Sequence, residues 1–200
     1  MKKVSLHRTT ERKFTIRLRF KTAVLERHQV QCSVRHATEK HISKEIGMTR
    51  DLYFQLEVDD GWPPVSVEVM SCEEVAGGYR IKSPPIFVKG ISVGDVITAD
   101  PDGEGRVWEW QHLSQSMHTT IWLGRLEGEV QVEIDEILKK LRALHCNIAE
   151  IRALGCYAVD VPPQCPIQRI DEALDDVDAD RIAVAFPSFR HPDEADSDTE

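Results

Sequence analysis

Between Glu129 and His145, the residues Val130, Ile134, Ile137, Leu138, Leu141 and Leu144 fall on one stripe at helical spacing. A helix so striped has to bury that face against another element. Glu129, Glu133, Asp135 and Glu136 stand early, and Lys139, Lys140, Arg142 and His145 late, the order that the helix dipole favours. The flanking segments decide what the stripe packs on. Before the helix, His118 to Leu123 is β-prone and is closed by Gly124 to Gly128; after it, Ile148 to Leu154, a turn at Gly155, and Tyr157 to Val161 predict a hairpin. Pro162 and Pro163 stop that strand. Pro166 can open a second helix, carrying Ile167, Ile170, Ala173, Leu174 and Val177 at helical spacing, before a last strand over Ile182 to Phe186. The order is β-α-β-β-α-β, the ferredoxin-like arrangement, expected over residues 107–190.

Upstream the period changes from helix to strand. Leu52, Phe54, Leu56 and Val58 alternate with polar neighbours, Asp59-Asp60-Gly61-Trp62-Pro63-Pro64 supplies a turn, and Val65, Val67 and Val69 alternate with Ser66 and Glu68. Gly77-Gly78 leads into Tyr79-Arg80-Ile81, and Ser83-Pro84-Pro85 breaks the chain before Ile86-Phe87-Val88. Gly90 to Ala99 reads as a tight loop feeding a strand, and Asp100 to Gly105 as a hairpin connection into Val107, Trp108 and Trp110. Strands this short and closely spaced predict a small curved antiparallel sheet or partial barrel over residues 51–106. The expected class is therefore α+β, a curved sheet followed by a ferredoxin-like half.

Charge divides the chain differently. Residues 1–50 carry thirteen Lys and Arg against four Asp and Glu, while the remaining residues are net −18 within an overall −9. The basic extension contains alternating runs at Phe14 to Phe20 and Val30 to Val34, which would form a hairpin docked on the acidic remainder; its other readings are a disordered segment, a start placed upstream of the true one near Met48, or a nucleic-acid-binding arm. Asp193 to Glu200 holds five acids and no base and is expected to be a disordered tail. Nucleic-acid binding is not expected of the acidic body. No run reaches the roughly 18 apolar residues of a membrane span, so no membrane partner is expected and a cytoplasmic protein is. Cys32, Cys72, Cys146, Cys156 and Cys165 form no C-x-x-C pair, and read as reduced core fillers.

Chemistry-bearing candidates concentrate in two places. His112 and His118 flank a Ser-Gln-Ser-Met loop, and Asp95 follows the Gly94 turn, a set that can serve a general base or a ligand site. A third metal ligand is not identifiable, so neither a metal nor a cofactor is expected. Trp62 could supply a stacking platform and Glu68 a carboxylate. Against these stand structural roles: a turn bond for Asp95, a buried polar contact for His118, and core or interface mass for Trp62, Trp108, Trp110 and Trp122.

Asp60-Gly61-Trp62-Pro63-Pro64 with Glu68, Tyr79-Arg80-Ile81 with Ser83-Pro84, Phe87 and Gly90-Ile91-Ser92-Val93-Gly94-Asp95-Val96, then His118-Thr119-Thr120 and Tyr157 to Pro162, resemble a bacterial family known as domain of unknown function 4265. The resemblance covers about residues 52–190, and Gly-Ile-Ser-x-Gly-Asp is its most specific stretch. Met117 and Trp122 stand where that family tends to have a small residue and an arginine. The resemblance implies no catalytic activity. It implies a short cytosolic protein, a style shared by immunity proteins that neutralise toxins. The leading expectation is a non-catalytic module that binds a protein partner, a basic toxin in the immunity reading. The alternative is a small-molecule sensor or enzyme with a site near His118, His112 and Asp95.

Overall fold

The computed structural model describes residues 47–191. The expected hairpin in the basic extension and the acidic tail lie outside the described residues. Six strands build the first sheet: β1 (Thr49–Gln55), β2 (Val67–Val75), β3 (Gly78–Ile81), β4 (Val96–Ala99), β5 (Arg106–Val107) and β6 (Trp110–Ser114). Their order is β5-β1-β2-β3-β4-β6. Only Trp108 and Glu109 separate β5 from β6, yet these strands occupy opposite edges, so the sheet curls until two residues bridge its margins. This is the partial barrel expected from the strand spacing. Its core is Leu52, Phe54, Met70, Cys72, Ile81, Ile91, Ile97 and Val107.

Two local expectations are corrected, and the inner face of β2 is settled. The Asp100 to Gly105 turn does not join a hairpin: β4 pairs with β6, and β5 runs parallel to β1, so the sheet is antiparallel at every pairing except that one. The cause is the Asp102 carboxylate, whose Oδ1 accepts the amides of Glu104 and Arg106, both at 2.9 Å, and turns the chain toward β1. In β2 the inward residues are Glu68, Met70 and Cys72, whereas Val69 is exposed, so the valine alternation marks the outer face. Trp108, expected as core or interface mass, is 71% exposed because it sits on the bridge between the sheet edges.

The second sheet contains β7 (Thr119–Arg125), β8 (Asn147–Ile151), β9 (Cys156–Val161) and β10 (Ile182–Ser188), with α1 (Gln131–Ala143) after β7 and α2 (Ile167–Leu174) after β9. Its order, β10-β7-β9-β8, with every neighbouring pair antiparallel, is ferredoxin-like. The chain passes from one sheet to the other at residues 115–118, because β6 pairs with β4 rather than opening the second half at 107. The predicted stripe is the buried one: Val130, Ile134, Ile137, Leu138 and Leu141 pack with Ile170 and Ala173 of α2 on Ile121, Leu123, Val159 and Val161. All six residues of β9 are buried, so this strand is covered on both faces, by the helices and by the first half. Pro187 lies in β10, an edge strand whose register shifts between Ala185 and Ser188, where a missing amide is tolerated. Among the described residues, no helix is long and apolar enough to cross a membrane.

Candidate functional site

The two halves meet through a polar seam. Ser92 Oγ, in the loop before β4, lies 2.9 Å from both Thr120 Oγ1 on β7 and Ser188 Oγ on β10. Trp122 Nε1 donates to the Pro85 carbonyl at 2.7 Å. At the centre is Asp95, wholly buried. Its carboxylate accepts from the amides of Ser92 (2.9 Å) and Ser116 (2.7 Å), from His112 Nε2 (3.0 Å), and from the Arg190 guanidinium. A carboxylate offers about four lone-pair positions. All are taken, which makes Asp95 a tie between the halves with no acceptor left for a ligand. Burial pushes its carboxyl up, but Arg190 and the Ser116 and Ser92 amides outweigh burial and hold it below the usual range.

His118 is arranged differently. Its Nδ1 lies 2.7 Å from Oδ1 of Asp160, a fully buried residue next to the last position of β9. Asn147 Nδ2 donates to the other Asp160 oxygen at 3.2 Å. A carboxylate only accepts, so Nδ1 carries the proton and Nε2 presents its lone pair. The imidazole is 25% exposed. Ser116 sits beside it, its Oγ donating to the Val93 carbonyl at 2.6 Å and accepting the His118 amide at 3.3 Å.

The remaining candidates form a separate group around the 86–88 loop. Glu68 accepts the amides of Ile86, Phe87 (2.9 Å) and Val88 (2.8 Å), shaping a loop that has no strand partner. Burial pushes the Glu68 carboxyl up despite these bonds. Trp62 packs edge-on against Phe87, with ring centroids 5.6 Å apart. Trp62 and Phe87 line a small apolar cavity, about 40 Å³, against Trp122, Tyr157 and Ala183 of the second sheet, and Glu68 holds the loop that carries Phe87. Thus His112, His118 and Asp95 are brought to one junction, whereas Trp62 and Glu68 serve another part of it.

Arg190, Asp160, Asn147, Thr120 and Ser188 were not singled out from the sequence. Asp160 carried a signal: it is the one acid inside the otherwise apolar run Tyr157 to Val161. Arg190 carried none, since nothing local to it points to a residue 95 positions away.

A family model described as a domain of unknown function, DUF4265, matches residues 68–184. The chain belongs to the DUF4265 family. The matched region holds Glu68, Asp95, His112, His118 and Asp160, and ends before Arg190. A solved structure described as a novel crystal structure of a hypothetical protein from Neisseria gonorrhoeae is similar in fold, with 14% sequence identity and a TM-score of 0.53. The similarity covers 75% of this chain and all of that one. No curated protein matches the chain significantly. Within the DUF4265 region, the side chains can do two chemically distinct things: lock two sheets together through Asp95, and present a carboxylate-backed imidazole through His118.

Proposed function

We propose that this DUF4265 protein is a non-catalytic cytoplasmic module that binds a basic protein partner through its helical face, in the manner of an immunity-type inhibitor of a toxin. One observation carries this reading. A groove of about 150 Å³ runs between α1 and the segment after α2, lined by Glu133, Glu136, Asp176 and Asp178 together with Lys140 and Arg181. The two cations are engaged within it, Lys140 with Asp176 at 3.5 Å and Arg181 with Glu133 at 2.7 Å. Glu136 and Asp178 make no ion pair among the described residues. Asp171, Glu172, Asp175 and Asp180 extend the same acidic character along α2 and its exit. A net negative surface steers a basic partner toward it and disfavours acidic competitors.

The test is capture from native lysate with the full chain, set beside the variant Glu136→Lys/Asp178→Lys. The reading expects a stoichiometric basic protein that salt releases and that the variant fails to hold. Identical proteins on both chains, or retention that salt leaves untouched, would sink it. The alternative of a small-molecule site near His118 is favoured by the Asp160-held imidazole.

A further inference from the structure

The three junction histidines differ in what their ring nitrogens face. His191 is buried with both nitrogens engaged, Nδ1 2.8 Å from Thr119 Oγ1 and Nε2 3.0 Å from the Cys165 carbonyl. His112 donates Nε2 to the saturated Asp95 and packs edge-on against Trp110 at 5.1 Å. His118 alone pairs with a carboxylate that meets no arginine or lysine among the described residues. Its Nε2 makes no hydrogen bond among the described residues while the ring remains partly open to solvent.

A glycine lies beside that ring. Gly94 has φ +84°, and a Cβ there would lie 3.1 Å from Ser116 Cβ, 3.6 Å from Ser116 Oγ and 3.9 Å from His118 Cδ2, the ring carbon bonded to Nε2. A side chain at 94 would therefore crowd Ser116 and come into van der Waals contact with the open edge of the imidazole.

We infer that this spot is a proton-accepting site, at which His118 Nε2 takes a proton from the O–H of water or of a hydroxyl-bearing small ligand. Asp160 and Asn147 are positioning residues. They hold the ring in the tautomer with Nε2 unprotonated, and the Asp160 charge stabilises the imidazolium that forms. Arg190 is committed to Asp95, the Ser116 carbonyl and the Gly90 carbonyl, so a neutral ligand fits the spot better than an anion. The inference is independent of the acidic helical face and belongs to the alternative reading, a small-molecule or enzyme site near His118, rather than to the non-catalytic one.

The probe is p-nitrophenyl acetate with the full chain at neutral pH. As Nε2 takes a proton from water, the water oxygen bonds to the acetyl carbon. The bond to p-nitrophenolate then breaks with its electron pair, and the imidazolium returns its proton to solvent. A positioned base contributes on the order of a hundred-fold; His118→Gln should therefore lower p-nitrophenolate release at least about ten-fold, the other histidines contributing equally to both chains. Asp160→Asn should lower kcat with KM little changed, as loss of the correct tautomer requires. Equal rates for wild type and His118→Gln would overturn the inference. Should either variant fail to fold, carbethoxylation of the wild-type chain by diethylpyrocarbonate, mapped by mass spectrometry, decides instead. His118 is expected to be modified before His112 and His191, whose rings are tied to Asp95 and to Thr119 and the Cys165 carbonyl, and a slower reaction at His118 than at those two would also overturn it.

Discussion

Arg190, two residues beyond β10, donates to the wholly buried Asp95 carboxylate in the loop before β4, and so ties the second sheet to the first. Removing one partner of a buried pair leaves the other charge uncompensated, at a cost of about 3 kcal/mol or more. Arg190→Met is therefore expected to lower unfolding free energy by about that much in denaturant titration. Asp95 sets the acid response. Its folded-state carboxyl binds a proton more weakly than the unfolded one, so its contribution is complete above the ordinary value of about 3.9 and is lost as pH falls below it. The stability gap between wild type and Asp95→Asn should narrow below about pH 4. A gap constant across that range would count against the tie.

Glu68 pulls in the opposite direction. Its carboxyl is raised by burial, so the folded state holds the proton more tightly and the group adds stability as pH falls toward its ordinary range. Glu68→Gln replaces an acceptor facing three amides with a group that is partly a donor, at about 1–3 kcal/mol. Denaturation curves should show that loss at neutral pH and a steeper decline in acid; an unchanged midpoint would show that the 86–88 loop does not depend on this carboxylate.

Two glycines separate backbone strain from crowding. Gly90 and Gly94 both have positive φ, +77° and +84°, but a Cβ at 90 meets nothing within 4 Å. Gly90→Ala should cost only the left-handed backbone term, about 1–2 kcal/mol. Gly94→Ala adds the Ser116 contact and should cost measurably more. Thermal melts compare the two directly, and equal shifts would mean that Ser116 moves aside freely.

The described cysteines are free and buried. Burial pushes Cys72 and Cys146 up to about 12 and Cys156 up to about 11. A thiolate-directed reagent at pH 8 should leave these three unmodified in the native protein, as mass mapping would show, and label them once denaturant is added. Labelling of Cys146 in the native state would reveal opening between α1 and α2.

Much of the architecture was legible because it rests on period. The α1 stripe, the β8–β9 hairpin and the βαββαβ order follow from residues close in sequence, and burial of Leu52 and Phe54 followed the alternation in β1. Legibility failed where a side chain's partner is remote. Glu68 faces inward because the amides of 86–88 require its carboxylate, and this reverses the face that Val65, Val67 and Val69 suggest.

By itself, then, the sequence determined the element order, the helical core stripe, the acidic body and the family, all of them properties of local spacing and composition. Only the tertiary structure decided that β5 and β6 take opposite sheet edges, that Asp95 is saturated by Arg190, and that His118 is backed by Asp160, 42 residues away. Those depend on which groups chain reversal carries into hydrogen-bonding distance, and no one-dimensional period encodes that.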